Sequence, residues 1–242
     1  MKNVIPKNKV IAIVISSVLL YLIAIILWQQ QQIDSFIVIK HNLIYEDNFL
    51  LEFFRMVSRY GMSFISLVYA LLLFLSFRNE DFVKYRPLFL IILFSFATGG
   101  IAGDLLKFVF ERARPAIELS GQIAQTYVSK SPSFPSGHAA KAMALVLPLI
   151  LLAVQKDVVT TSIKIILFLG SLLVCYSRVA LQSHYLSDVL AGAGTALIFI
   201  LFANWMANRI YRIRKFEVVG LANFSKRLTF IFIALAVILS ML

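Results

Sequence analysis

Long apolar stretches separated by short polar connections are the main pattern in this chain. A helix needs about 20 apolar residues to cross the roughly 30 Å hydrocarbon core of a bilayer. The pattern therefore predicts an all-α fold, a polytopic membrane helix bundle with six core transmembrane helices. The six predicted spans are residues 10–28, 60–78, 87–110, 139–155, 162–181 and 188–208.

Two other segments carry apolar residues without being long enough for an ordinary span. The run 228–242 could be a short seventh span, a surface-lying helix or a tail packed on the bundle, and a short span is favoured. The connection 29–59 mixes apolar and charged residues, which fits interfacial helices and a partly buried loop equally well. Since no repeat or flexible linker interrupts the chain, residues 1–242 are predicted to form a single membrane domain.

The composition supports a lipid-solvated protein. Hydrophobic residues make up 60% of the chain and charged residues only 14%, whereas soluble domains carry about 25% charged residues. The net charge of +11 would suggest a nucleic-acid partner in a soluble protein, but here the basic residues lie mainly at the ends of apolar runs. No nucleic-acid partner is therefore predicted. The apolar run 10–28 lacks a signal cleavage pattern and is interpreted as an uncleaved first span.

The basic residues also predict an orientation. Lys and Arg concentrate in the N-terminal tail and after the second, fourth and sixth spans. With alternating helices these places share one side, which the positive-inside rule makes cytoplasmic. The connections 111–138 and 182–187 then lie on the outer side, although they too contain basic residues. Their positive charge at that side indicates a function.

Three cations near the outer ends of the spans point to an anionic ligand. Lys107, Arg114 and Arg178 offer many hydrogen-bond donors and no acceptors, and a charge at membrane depth is costly unless it is paired or lines a wet cavity. If the third span continues as a helix, Lys107 and Arg114 share one face, and Pro115 then ends or redirects it. Arginine binds phosphate oxygens in a bidentate manner. Together these residues predict a phosphate site.

A turn before the fourth span adds donors and an acid. Backbone N–H groups at a helix start are unpaired and carry the positive end of the helix dipole. Ser136 and Gly137 are thus candidates to bind phosphate oxygens directly, while His138 can donate a proton to a leaving alkoxide. His184 and Asp188 are four residues apart. If both are helical, the carboxylate can fix the imidazole tautomer and leave the other ring nitrogen free to attack.

The sequence resembles the type 2 phosphatidic acid phosphatase superfamily, whose signature is Lys-x6-Arg-Pro, Pro-Ser-Gly-His and Ser-Arg-x5-His-x3-Asp. The three motifs occur in this order and at full spacing, at Lys107–Pro115, Pro135–His138 and Ser177–Asp188. The motif region covers residues 107–188, and residues 216–242 lie outside the family core. Members of the family often have a second proline two positions after Arg-Pro, but here Ala116-Ile117 follows Pro115. The conformation of this loop is therefore expected to differ from that of other members.

The resemblance implies a role for each matching residue. His184 would become a phosphohistidine, His138 would act as the acid and Asp188 would orient His184. The phosphate-binding residues would be Lys107, Arg114, Ser136, Gly137 and Arg178. No metal and no cofactor is implied, and the sequence has no acidic or His/Cys cluster at metal-ligand spacing.

The resemblance further implies a lipid phosphate or diphosphate phosphatase of the bacterial cytoplasmic (inner) membrane. It would be a multi-pass protein, and the distribution of its basic residues predicts a cytoplasmic N-terminus and an active site on the periplasmic or extracellular side. Candidate substrates are undecaprenyl diphosphate, phosphatidylglycerol phosphate, phosphatidic acid and a lipopolysaccharide anchor. A lipid phosphotransferase with the same intermediate is the first alternative, and a non-catalytic anion or lipid transporter is the second.

Other polar residues have less distinctive settings. Asp104 is expected to form an ion pair with Lys107, and Lys141 either contacts a substrate head group or extends outwards to the membrane surface. Arg112 and Glu118 are expected to be solvated loop charges, and His41 an interfacial residue without a catalytic role. A further group of small residues is expected to permit close helix packing, namely Gly99, Gly100, Gly103, Gly192 and Gly194.

Overall fold

Helices account for the regular structure in the computed structural model, which describes residues 5–76, 78, 85–125, 129, 131–152 and 158–213. The described residues contain no β-strand, so the all-α prediction is confirmed. In chain order the helices are α1 Lys7–Gln29, α2 Gln31–Ile39, α3 Asn42–Glu46, α4 Asn48–Leu75, α5 Arg86–Phe110, α6 Pro115–Glu118, α7 Gly137–Leu152, α8 Val158–Ala180 and α9 Leu186–Ile213.

Five helices of the described part are long and apolar enough to cross a membrane, namely α1, α4, α5, α8 and α9. A multi-pass membrane bundle is therefore confirmed, but the number of six spans is not. Helix α7 is apolar but has 16 residues, which gives it a length of about 24 Å. The predicted end of this span at residue 155 and the run 228–242 lie outside the described residues.

The connection between the first two spans is helical and partly buried, so the interpretation as a loop is wrong. Helices α2 and α3 lie there, and α4 begins at Asn48, well before the predicted start at residue 60. The side chain of Asp47 starts α4 by accepting hydrogen bonds from the N–H groups of Phe49 and Leu50, at 2.9 and 3.1 Å. Asp34, on α2, is fully buried, which a surface-lying helix does not explain.

Helix α7 lies at the centre of the bundle and packs against α5, α8 and α9, while α1 covers α9. Small side chains make this close packing possible. A Cβ atom added to Gly192 of α9 would lie 2.5 Å from the carbonyl oxygen of Ser136 and 2.9 Å from the Cβ of Ala139. Gly192 therefore lets α9 approach the first turn of α7, as the sequence predicted.

We expect Gly192→Ala to disturb this contact, because the Cβ can be accommodated only if α7 and α9 move apart. The expected result is a loss of about 1–3 kcal/mol of unfolding free energy, the usual cost of overpacking, together with lower activity. Gly170→Ala is the matched control, since no atom lies within 4 Å of its added Cβ. Thermal unfolding of both purified variants checks the prediction, and equal midpoints would contradict it.

Candidate active site

A cavity of 290 Å³ lies where α5, α7 and α8 meet the loops before α6 and α9. It collects side chains that are far apart in the sequence. Six of the eight predicted site residues line it: Lys107, Arg114, Gly137, His138, Arg178 and His184. The other two, Ser136 and Asp188, are fully buried beside it. The structure thus brings together the three sequence motifs in one place.

Lys107 and Arg114 reach the cavity from different elements, because the helix does not continue as far as Arg114 and the condition for a shared helix face is not met. Helix α5 ends at Phe110 because the next residue, Glu111, adopts a left-handed conformation with φ 45°. Residues 111–114 are not helical, and Pro115 starts the short helix α6 instead of ending α5. The non-helical segment places Arg114 at the same cavity that Lys107 lines.

The three cations that the sequence predicts to bind phosphate are each held by neighbouring polar groups. Lys107 Nζ lies 2.8 Å from Asp104 Oδ1, which confirms the predicted ion pair. The Arg114 guanidinium donates to the carbonyl oxygens of Ser131 and Ser183, at 2.8 and 3.0 Å, and Arg178 donates to the hydroxyl of a serine on α4. These contacts fix the positions of the cations before any anion binds.

The turn before α7 packs against α9 and also lines the cavity. The N–H of Ser136 donates to the carbonyl oxygen of Asp188 at 2.9 Å, which ties α7 to α9. A phosphate contact of Ser136 stays a prediction. Gly137 lines the cavity, and a Cβ at this position would lie 3.3 Å from Asp104 Oδ1 and 3.7 Å from Lys107 Nζ. The start of α7 therefore lies beside the ion pair of Lys107 and Asp104, and the positive end of a helix favours a bound anion.

The imidazole of His184 is oriented by Asp188, although only Asp188 of the two residues is helical. Helix α9 begins at Leu186, so His184 precedes it and Asp188 lies in its first turn. His184 Nδ1 is 3.2 Å from Asp188 Oδ2, and the same oxygen accepts from the N–H of Tyr185 at 2.9 Å. Because a carboxylate only accepts hydrogen bonds, Nδ1 carries the proton. Nε2 then keeps its lone pair and faces Arg114.

Burial and positive charge keep this imidazole neutral. The residue is 1% exposed. Burial first, and then the positive charges of Arg114, Arg178 and Lys107, hold the pKa of His184 well below its usual range. Both effects disfavour the imidazolium form. Nε2 is therefore unprotonated at neutral pH and able to act as a nucleophile.

Arg112 is buried beside Asp188, so the expectation of a solvated charge is wrong. It is 4% exposed. Its guanidinium lies 2.8 Å from Asp188 Oδ1 and 3.0 Å from Asp34 Oδ2, and it stacks 4.0 Å from the ring centroid of Tyr185. Two buried carboxylates need a cation, which explains why Arg112 turns inwards. The sequence signal was Asp34, the one charged residue of helix α2.

Three further polar residues lie partly as the sequence analysis expects. Glu118 is exposed as expected, but it also accepts a hydrogen bond from the Tyr185 hydroxyl at 2.6 Å. His41 does not line the cavity, and its ring nitrogens contact the carbonyl of Ile37 and the hydroxyl of Tyr176. Lys141 is 7% exposed and lines the cavity, so its predicted outward alternative is wrong.

Comparison with known proteins shows three similarities. The sequence model of the PAP2 superfamily matches residues 88–212. Phosphatidylglycerophosphatase B of Bacillus subtilis (strain 168) is 32% identical over 131 residues, which are 52% of this chain and 61% of that protein. A crystal structure of a transmembrane PAP2-type phosphatidylglycerolphosphate phosphatase from Bacillus subtilis shares the fold with a TM-score of 0.59. The two chains are 24% identical, and the matched region covers 82% of this chain and 99% of the Bacillus subtilis chain.

Proposed function

The chain belongs to the PAP2 superfamily, and on this premise we propose that it is a metal-independent membrane lipid phosphatase. The reaction is hydrolysis of a phosphate or diphosphate monoester on a lipid through a phosphohistidine. One observation carries the proposal. The neutral, carboxylate-oriented His184 and the acid candidate His138 line a single cavity with Lys107, Arg114 and Arg178.

The first chemical step uses the two histidines on opposite sides of phosphorus. The lone pair of His184 Nε2 forms the P–N bond while the P–O bond to the lipid breaks. His138, protonated in the complex because the bound phosphate offsets the surrounding cations, gives its proton to the departing oxygen. Lys107, Arg114 and Arg178 bind the oxygens that stay on phosphorus and offset their charge. Asp188 stabilises the positive charge that develops on His184.

The second step regenerates the enzyme. A water oxygen attacks phosphorus and gives a proton to His138, which lost its own in the first step. The P–N bond then breaks, inorganic phosphate leaves and His184 recovers its lone pair. The two steps together consume one water and return every catalytic group to its starting protonation state.

The substrate and the orientation follow from the setting of the site. The name of the Bacillus subtilis relative makes phosphatidylglycerophosphate the first substrate to test, with undecaprenyl diphosphate, phosphatidic acid and a lipopolysaccharide anchor beside it. The distribution of basic residues supports an inner-membrane protein with a cytoplasmic N-terminus and an extracytoplasmic site. The site residues lie at helix ends instead of at mid-membrane, which argues against a transporter.

Phosphate release by the purified protein tests the proposal. In detergent micelles with phosphatidylglycerophosphate and excess EDTA, we expect steady release of inorganic phosphate. Rapid quenching should trap an acid-labile phosphoryl group on the peptide that contains His184. Loss of activity in EDTA with recovery on adding a divalent cation would contradict the proposal, as would a phosphoryl group on another residue. Transfer to an added lipid alcohol instead of water would identify a phosphotransferase.

A further inference from the structure

Lys141 is a cation of the cavity that the family motifs do not include. It lies on α7 three residues after His138, so the two side chains share one face of the helix, and both line the cavity. The lysine stem runs along α5, where a Cβ atom on Gly100 would lie 2.6 Å from Lys141 Cε. The glycine therefore makes room for this stem, and the position of Lys141 is built into the packing of the two helices.

The position of His138 shows which part of a substrate Lys141 faces. In a displacement at phosphorus the nucleophile and the leaving oxygen lie roughly in line. With His184 as the nucleophile, the leaving oxygen lies on the side of the acid, His138. Lys141 is one turn further into the bundle on that same side. With these roles for the two histidines, Lys141 lies on the side of the leaving group, whereas Arg114, which is 3.4 Å from His184 Nε2, lies beside the phosphoryl group that is transferred.

The charge and size of the cavity fit an additional anion on that side. Lys107, Arg114 and Arg178 already serve the transferred phosphoryl group. A leaving group that is a neutral alcohol presents no charge to Lys141, whereas one that carries its own phosphate presents anionic oxygens. The cavity volume of 290 Å³ corresponds to the volume of roughly ten water molecules in the liquid, at about 30 Å³ each. This space is larger than a single phosphate group.

We propose that Lys141 binds a second phosphate, located in the leaving group of the substrate. The inference rests on the proposed phosphatase function and specifies its substrate class. That class is a lipid with two phosphates, either a diphosphate or a terminal phosphate joined through glycerol to a phosphodiester. Phosphatidic acid lies outside it, because its leaving group is a neutral diacylglycerol.

Lys141→Met removes the charge and keeps an apolar stem, so it tests the proposal directly. We expect kcat/KM to fall about tenfold or more for a prenyl diphosphate, for phosphatidylglycerophosphate or for both, since charged hydrogen bonds contribute on this scale. For phosphatidic acid the change should stay within about threefold. The lipid that shows the loss identifies the distance between two phosphates that the site fits. Gly100→Ala should give the same selectivity, because it displaces Lys141 without removing its charge.

Soluble probes separate this effect from lipid delivery and from misfolding. With p-nitrophenyl phosphate as substrate, Lys141→Met should raise the inhibition constant of inorganic pyrophosphate about tenfold and leave that of orthophosphate unchanged. Lys164→Gln is the matched control, because it removes a lysine near the start of α8, the helix end opposite Arg178. Equal effects of Lys141→Met on all three lipids, with an unchanged pyrophosphate constant, would overturn the proposal. A wild-type protein that hydrolyses none of the lipids would instead contradict the proposed function.

Discussion

Replacement of His184 by glutamine should lower the rate of phosphate release by about a thousandfold or more. Glutamine retains hydrogen-bonding atoms in the buried position, but it has no nitrogen lone pair that can attack phosphorus. The cavity, its cations and Asp188 remain, so substrate should still bind. Steady-state phosphate release and the trapped phosphoryl group, measured in parallel on the purified variant, check the prediction. Both signals should disappear together.

His41→Gln is the matched control for this experiment. It makes the same chemical change at a histidine that contacts Ile37 and Tyr176 and does not line the cavity. We expect its kcat to stay within about twofold of the wild type, as for other substitutions away from a site. If His184→Gln retained more than a tenth of the wild-type rate, another group would have to be the nucleophile.

Replacement of Arg112 by methionine should give the second large effect, on stability and activity together. Arg112 lies between the carboxylates of Asp34 and Asp188, both of which are fully buried. Removing one partner of a buried ion pair costs about 3–5 kcal/mol, because the remaining charge is left uncompensated. Asp188 would also lose the guanidinium that holds the oxygen opposite to the one facing His184. We therefore expect a lower unfolding temperature and a lower kcat.

The coupling between Arg112 and Asp34 distinguishes this explanation from a simple loss of packing. In the double variant Arg112→Met with Asp34→Asn, one of the two stranded charges is gone. Part of the lost stability should return, with an interaction free energy of about 1 kcal/mol or more in the double-mutant cycle. Additive effects would contradict the ion-pair explanation.

Arg55→Met provides a matched control on the surface. Arg55 also forms an ion pair, with Glu52 at 2.6 Å, but the two side chains are 54% and 69% exposed. Exposed pairs contribute little because water solvates both partners and each side chain loses entropy. We expect an unfolding temperature close to that of the wild type. The contrast with Arg112→Met would show that burial, and not the loss of an arginine as such, causes the effect.

The buried network of Arg112 also links helix α2, which lies between the first two spans, to His184 and Asp188. Asp34 accepts a hydrogen bond from the Ser187 hydroxyl as well as from Arg112, and Ser187 is next to Asp188 in the first turn of α9. Helix α2 therefore supports the start of α9 through a carboxylate. The connection between the first two spans is thus part of the structure that orients His184, in addition to being a surface of the membrane domain.

The sequence by itself determined the helical bundle, most span positions and the residues that meet in the cavity. Apolar length decides where a helix can lie in lipid, and this property is local. The three motifs can be recognised from their residue types and spacing alone. It could therefore be predicted without coordinates that five side chains converge, namely those of Lys107, Arg114, Arg178, His138 and His184.

Only the tertiary structure decided how those residues converge and what supports them. The left-handed Glu111 ends α5 before Arg114, so helical spacing does not describe how Lys107 and Arg114 come together. Arg112 and Asp34 are 78 positions apart, and no local pattern shows that two buried carboxylates will share one guanidinium. The direction of Lys141 likewise depends on Gly100 of a different helix. Burial and pairing of charges are properties of the packed molecule, because their free energies depend on which groups replace water around them.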